Sequence, residues 1–198
     1  MRFVTAAFAL LLITACVHPP LSGPNAVQPM DSFEYSTLIR KHTVRTNQYS
    51  GFYQTFQADM TILTTEVQSA SLRQKGNFLQ WDQKQFQAQR EKSLQEANAY
   101  SKFFMRFYSP DKEYDDLHKG KTIWKVFLDY GGNRFEGKVV RLAEKAVEVY
   151  TLYPHMDRFS TPYEITFNVP MTTIEQGSSK VVLSSSLGQA EFPFEAKK

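Results

Sequence analysis

The sequence predicts an α+β protein built around an antiparallel β-sandwich, and three observations carry that prediction. Apolar residues recur at helical spacing only before residue 100, after which the period changes to two and stays there. Turn signals separate the later strands at short intervals, with Gly131-Gly132-Asn133 and Leu187-Gly188 placed as hairpin turns. The chain has 198 residues, 42% of them hydrophobic and 14% aromatic, which suits a single core. About eight strands are expected, and the likeness to immunoglobulin domains is one of layers, because the single cysteine leaves no inter-sheet disulfide. An up-and-down β-barrel is the alternative.

In chain order, Met1 and Arg2 form a short positive n-region, and Phe3 to Ile13 is an eleven-residue apolar run. That is the length of a signal-peptide hydrophobic region and short of the roughly 20 residues a spanning helix needs. The run ends in Ile13-Thr14-Ala15-Cys16, which resembles the lipobox of bacterial lipoprotein precursors. The resemblance implies cleavage before Cys16, a diacylglyceryl thioether on its sulfur and an acyl chain, such as palmitate, on the new amino group. Val17 in place of Asp after the cysteine implies sorting to the outer membrane. A lone thiol would have no disulfide partner in an oxidising envelope, and lipidation removes it. Two or three chains anchor stably where one holds marginally, so membrane lipid is the first partner expected.

Without residues 1–15, 22 basic and 20 acidic side chains remain, a near-neutral balance that offers nucleic acid no basic face. From Val17 to Met30 four prolines exclude a regular helix, so residues 16–30 read as the lipidated cysteine and a tether. Its fourteen residues after Cys16 reach roughly 40 Å in polyproline II geometry. Residues 31–198 read as one domain.

Asp31 followed by Glu34 has capping-box spacing, and Tyr35, Leu38, Ile39 and His42 recur near helical spacing, so a helix is expected over about 32–47 with Ser50-Gly51 marking its end. His42 reads as a packed side chain on its apolar side. Phe52, Gln54, Phe56, Ala58, Met60 and Ile62 alternate as a strand over about 53–62. Thr65-Glu66-Val67-Gln68 opens a second, Gln-rich helix expected to run to about 98. Its narrow apolar stripe includes Phe78 and Trp81, a candidate partner face if the helix projects and a docking face if it lies on the domain. Gly76 marks a possible bend.

Strands are then expected over Lys102–Tyr108, Thr122–Tyr130, Arg134–Leu142, Val147–Tyr153, Tyr163–Val169, Val181–Ser186 and Gln189–Phe194, with no helices between them. In the loop from Ser109 to Lys121, Asp111, Glu113, Asp115 and Asp116 are spaced like calcium ligands, but Asp116 stands where such loops need Gly and Thr122 where they need Glu. It reads as a solvated acidic loop.

The loop from Tyr153 to Tyr163 is the candidate binding loop, with Tyr153, His155, Asp157, Arg158 and Phe159 mixing aromatic and charged groups between two prolines. The same composition describes a rigid corner. The sequence holds no nucleophile elbow, P-loop or zinc-binding H-E-x-x-H, so neither catalytic residues, metal ligands nor a cofactor are expected. The reading is a lipid-anchored cell-envelope protein of structural or interaction type. A glycan- or small-ligand-binding lipoprotein is the alternative, and an enzyme the less favoured third.

Overall fold

The computed structural model describes residues 26–196. Residues 1–25, and with them the signal region and Cys16, lie outside the described residues. The elements in order are α1 (Ser32–Lys41), β1 (Thr43–Ser50), β2 (Tyr53–Ile62), α2 (Thr65–Phe78), α3 (Gln83–Ala97), β3 (Ser101–Tyr108), β4 (Lys125–Tyr130), β5 (Asn133–Glu136), β6 (Lys138–Arg141), α4 (Ala146–Leu152), β7 (Thr161–Phe167), α5 (Met171–Ile174), β8 (Ser179–Ser185) and β9 (Gly188–Phe194). They form a mixed α+β structure with two antiparallel sheets, ordered β1-β2-β3-β7-β6 and β5-β4-β8-β9.

Strand alternation sorts the side chains onto two faces. Phe56 and Met60 of β2, Phe103, Met105 and Phe107 of β3 and Tyr163, Ile165 and Phe167 of β7 meet Leu128, Val181, Leu183 and Phe192 of the other sheet in one core. Trp124 stands edge-on to Phe56 and Phe107, with ring centroids 5.0 and 5.1 Å apart, and its indole N–H donates to the Tyr114 carbonyl at 2.7 Å. The opposite face of the five-stranded sheet carries a second apolar cluster. There Tyr35 and Ile39 of α1, Val67 and Ala70 of α2, and Val149 and Leu152 of α4 cover Phe104 and Tyr153.

The sheets do not close into a barrel. At one edge the chain passes from β5 to β6 through Gly137, and at the other β1 runs beside β9 without a hydrogen-bond ladder. The expected single strand over Arg134–Leu142 is therefore two strands in different sheets. A Cβ on Gly137 would lie 2.7 Å from the Phe167 ring and 3.0 Å from Ile165, so the crossover packs directly on the core.

Four further expectations are corrected. The first helix ends at Lys41 rather than near 47, because Thr43, Val44 and Thr46 are β-branched and pair with β2. Asp31 does cap it, accepting from the Phe33 and Glu34 amides at 2.9 and 3.1 Å. The Gln-rich helix is two helices meeting at a sharp turn, where Gln80 has φ 55° and Asp82 opens α3 through a full capping box with Gln85. Val147–Tyr153 is helical: Val149, Leu152 and Tyr153, three and one residues apart, bury together against α1 and the sheet. Residues 26–30, expected in the tether, are packed. Val27 is 4% exposed, Ala26 bridges to Asp82, and Arg73, Gln74, Asn77 and Gln83 donate side-chain hydrogen bonds to the carbonyls of residues 26–30.

Candidate functional site

On the helix-covered face of the five-stranded sheet the register places Arg45 opposite Asp59 and Asp59 opposite Arg106. Asp59 is fully buried and takes Nε of Arg45 at 3.1 Å on each oxygen, while Arg106 Nη1 lies 3.1 Å from its Oδ2. Nη1 makes an ion pair there without hydrogen-bond geometry. Arg106 also grips the candidate loop, with Nε and Nη2 at 3.1 and 2.7 Å from Asp157 Oδ2 and Nη2 at 3.2 Å from Gln57. Two buried or half-buried carboxylates thus flank one buried guanidinium, which satisfies charges that would otherwise be costly away from water.

Asp157 organises the loop as well as holding it. Its Oδ1 accepts from the Phe159 amide at 2.8 Å and from the Ser160 amide and hydroxyl at 3.0 Å. Burial would raise the Asp157 carboxyl pKa, but the bonds from Arg106, Phe159 and Ser160 outweigh it and hold the value below the ordinary carboxylate range. His155 rests edge-on against Phe104 and Tyr153, and burial pushes its pKa down to about 4. Its Nε2 is 3.5 Å from the hydroxyl of Thr61. Thr61 is fully buried and its hydroxyl also meets that of Thr43 at 2.8 Å.

The predicted loop residues therefore divide. Tyr153 is buried in a flat stack on Phe104 with ring centroids 3.5 Å apart, and burial raises its phenol pKa. Asp157 and His155 face inward as described. Only Arg158 and Phe159 are exposed, with the guanidinium 4.7 Å above the Phe159 ring. Three of the five candidate residues, Tyr153, His155 and Asp157, thus clamp a corner to the sheet, and two remain at its surface.

Phe78 and Trp81 belong to neither of the two apolar clusters on the sheets. Phe78 is at the surface, and the half-buried Trp81 packs at the α2–α3 turn, where a Cβ on Gly76 would lie 3.2 Å from Trp81 Cε3 and 3.0 Å from Val27. Glycine at 76 is what lets Val27 and Trp81 approach the helix. Between α2, α3, α4 and β3 lies an open cleft of about 320 Å³ floored by Leu63, Leu152 and Tyr153, where Lys102 bonds Glu96 at 2.8 Å. The acidic loop is less solvated than expected. Asp115 accepts from the Thr161 and Tyr163 hydroxyls at 2.5 and 2.9 Å, and Asp116 from Thr122 at 2.7 Å, so these carboxylates turn to separate partners.

Two features lie outside the predicted site. At the end of the sheets where α1, α2 and α5 converge, a cleft of about 540 Å³ is lined by Val44, Ile62, Ile174 and Phe194, with Ser179, a buried residue whose hydroxyl has no hydrogen-bond partner. At the other end the β1–β2 hairpin displays Tyr49, Phe52 and Tyr53, which are 55%, 103% and 82% exposed. The signal for it is present in the sequence, since Ser50-Gly51 between alternating segments is a hairpin turn as readily as a helix stop. Comparison with known protein families, with curated proteins and with solved structures finds no match to this chain.

Proposed function

We propose that this is a lipid-anchored protein of the bacterial cell envelope, held to the outer membrane through acylated Cys16 and acting by contact rather than by chemistry. In this reading the two sheets pack as an antiparallel sandwich whose likeness to immunoglobulin domains is one of layers. The observation that carries the contact role is the division of the aromatic side chains into two sets. One set fills the core, with Phe56, Phe103, Phe107, Tyr163, Phe167 and Phe192 at zero exposure. The other is exposed, and three of its members, Tyr49, Phe52 and Tyr53, stand together on the β1–β2 hairpin. Large exposed apolar side chains gathered at one place mark contact surfaces.

Fractionation of cells expressing the parent chain and Cys16→Ser tests the anchor. The parent stays in the envelope pellet at high salt and the variant leaves it, because no described helix is long and apolar enough to cross a membrane. A variant that remains in the pellet as fully as the parent overturns the proposal.

The cleft beside Ser179 favours a second reading, a small-ligand lipoprotein, since a buried hydroxyl without a partner has hydrogen-bonding capacity to offer. Uptake of an apolar fluorescent probe by the parent, abolished by filling the cleft with Val44→Trp, would support it. No uptake would set it aside.

A further inference from the structure

We propose that the tip of the β1–β2 hairpin enters the headgroup interface of the membrane to which Cys16 tethers the domain, giving the protein a second attachment made of side chains. The inference rests on the anchoring reading and adds where the domain touches the bilayer.

The hairpin is built to project. Its ladder runs out to Ser50 opposite Tyr53, whereas the pairing of β2 with β3 stops at Gln57 opposite Tyr108. Beyond Gln57 the Ser109 hydroxyl still bonds the Thr55 carbonyl at 3.2 Å and Gly188 packs against Gln48, so it is the tip from Tyr49 to Gln54 that extends past the sheet with no third strand. Gly51 at φ 61°, followed by Phe52, has the left-handed first position of a type II′ turn, which fixes Phe52 at the apex. A register shift between Gln48 and Tyr49 adds local twist just before the tip.

The chemistry of the tip is that of an interfacial side chain. From Thr46 to Ala58 the chain carries no charged residue, so its end enters a less polar medium without desolvating an ion. Tyr and Phe carry apolar rings, and the two tyrosines add hydroxyls suited to the headgroup level, where Tyr is enriched in membrane proteins. The outer edges of a two-stranded ribbon still need water or polar partners, which limits entry to the interface and keeps the tip out of the hydrocarbon.

Register decides between lipid and a protein partner. Ser50 and Tyr53 are directly opposite and share one face, whereas Tyr49 pairs with Gln54 and belongs to the other. Rings thus emerge from both faces of the ribbon and from its apex. A protein surface covers one side of such a finger, while a lipid interface surrounds it. The shorter tether adds to this: with residues 26–30 packed on α2 and α3, the ten residue steps from Cys16 to Ala26 would reach about 30 Å in polyproline II geometry, which keeps the domain near the lipid.

The test uses the full-length acylated protein. In Ser50→Cys the new thiol is the single free one once Cys16 is acylated, and it takes an environment-sensitive fluorophore. Glu91→Cys, at an exposed position on α3, provides the reference. Each is reconstituted into phosphatidylethanolamine–phosphatidylglycerol vesicles containing a lipid-borne quencher, and flotation with the mass of the N-terminal peptide reads anchoring in the same sample. The label at 50 is expected to shift to the blue and be quenched while the reference is not. Adding Phe52→Asp and Tyr53→Asp should return it to the reference level while the protein still floats. An acylated, floating protein whose label at 50 reports water overturns the lipid contact and leaves the anchor standing. Protection of the same label only in native envelopes, with crosslinks to a protein, overturns it in favour of a protein partner. A protein that neither floats nor carries acyl mass overturns the anchoring reading beneath it.

Discussion

Arg106 in the middle of β3 holds Asp157 by two bonds at 3.1 and 2.7 Å, so one strand position fixes a loop 51 residues further along the chain. Removing the guanidinium also strips the buried Asp59 of one of its two partners. Taking one member from a buried ion pair leaves an uncompensated charge, and Arg106→Ala should cost about 3–5 kcal/mol in urea unfolding. Asp157→Ala, which leaves Arg106 with Asp59, should cost less, about 1–3 kcal/mol. A loss below about 1 kcal/mol for Arg106→Ala would contradict the clamp.

Burial of His155 gives the fold a defined pH dependence. Its pKa is about 4 folded, against an unfolded value near 6.5, so the unfolded chain binds the proton first. The neutral imidazole therefore contributes full stability above about pH 6.5, and that contribution is lost as pH falls toward 4, by about 2–3 kcal/mol. His155→Phe should flatten the unfolding free energy across this window. A variant with the parent's slope would show that another group carries it. Asp157 acts lower: its folded pKa is depressed, so its contribution is present above the unfolded carboxylate pKa and lost below it.

The crossover at Gly137 predicts an intolerant position on a surface edge. An added methyl meets the Phe167 ring at 2.7 Å, and Gly137→Ala should destabilise by about 1–3 kcal/mol as overpacked sites do. At Gly120, where a Cβ meets nothing within 4 Å, the same substitution should fall within about 0.5 kcal/mol of the parent. Equal effects at both would contradict the crossover geometry.

Trp81 is half-buried against Val27 and the Gly76 segment rather than against a sheet. Trp81→Ala should therefore cost about 1–2 kcal/mol, less than the 3–5 kcal/mol of a wholly buried ring. It should also expose residues 26–30 to protease, because Trp81 is part of what holds them. A full core-sized loss, or unchanged protection of the segment, would count against this placement.

The sequence showed the strands whose alternation is local and hid the features that depend on register. The strand expected over 53–62 is β2 itself, and the turn at Gly131-Gly132 has both residues at positive φ, 56° and 77°. By contrast, Arg134–Leu142 was expected as one strand although Gly137 and the adjacent Val139-Val140 interrupt its alternation, and only the packing of Gly137 against Phe167 shows the chain changing sheets. Val147, Val149 and Tyr150 suit a strand by propensity, yet burial beside Ile39 and Tyr35 makes α4 helical. The candidate loop was legible as a loop from its prolines and mixed composition. Asp59 and Arg106 were not, because each sits at a polar position of an alternating strand that reads as solvated, and only their cross-strand pairing makes a buried pair. The exposed hairpin was obscured by Ser50-Gly51, whose meaning depends on whether Thr43–Ser50 is helix or strand.

The proposed membrane attachment depends on Cys16, and the mass of the N-terminal peptide from envelope-purified protein tests it most directly. A peptide beginning at Cys16 and carrying the diacylglyceryl and acyl masses is the result predicted. A peptide with an unmodified Cys16, or one that begins elsewhere, would contradict the lipid anchor and with it the membrane contact of the β1–β2 hairpin.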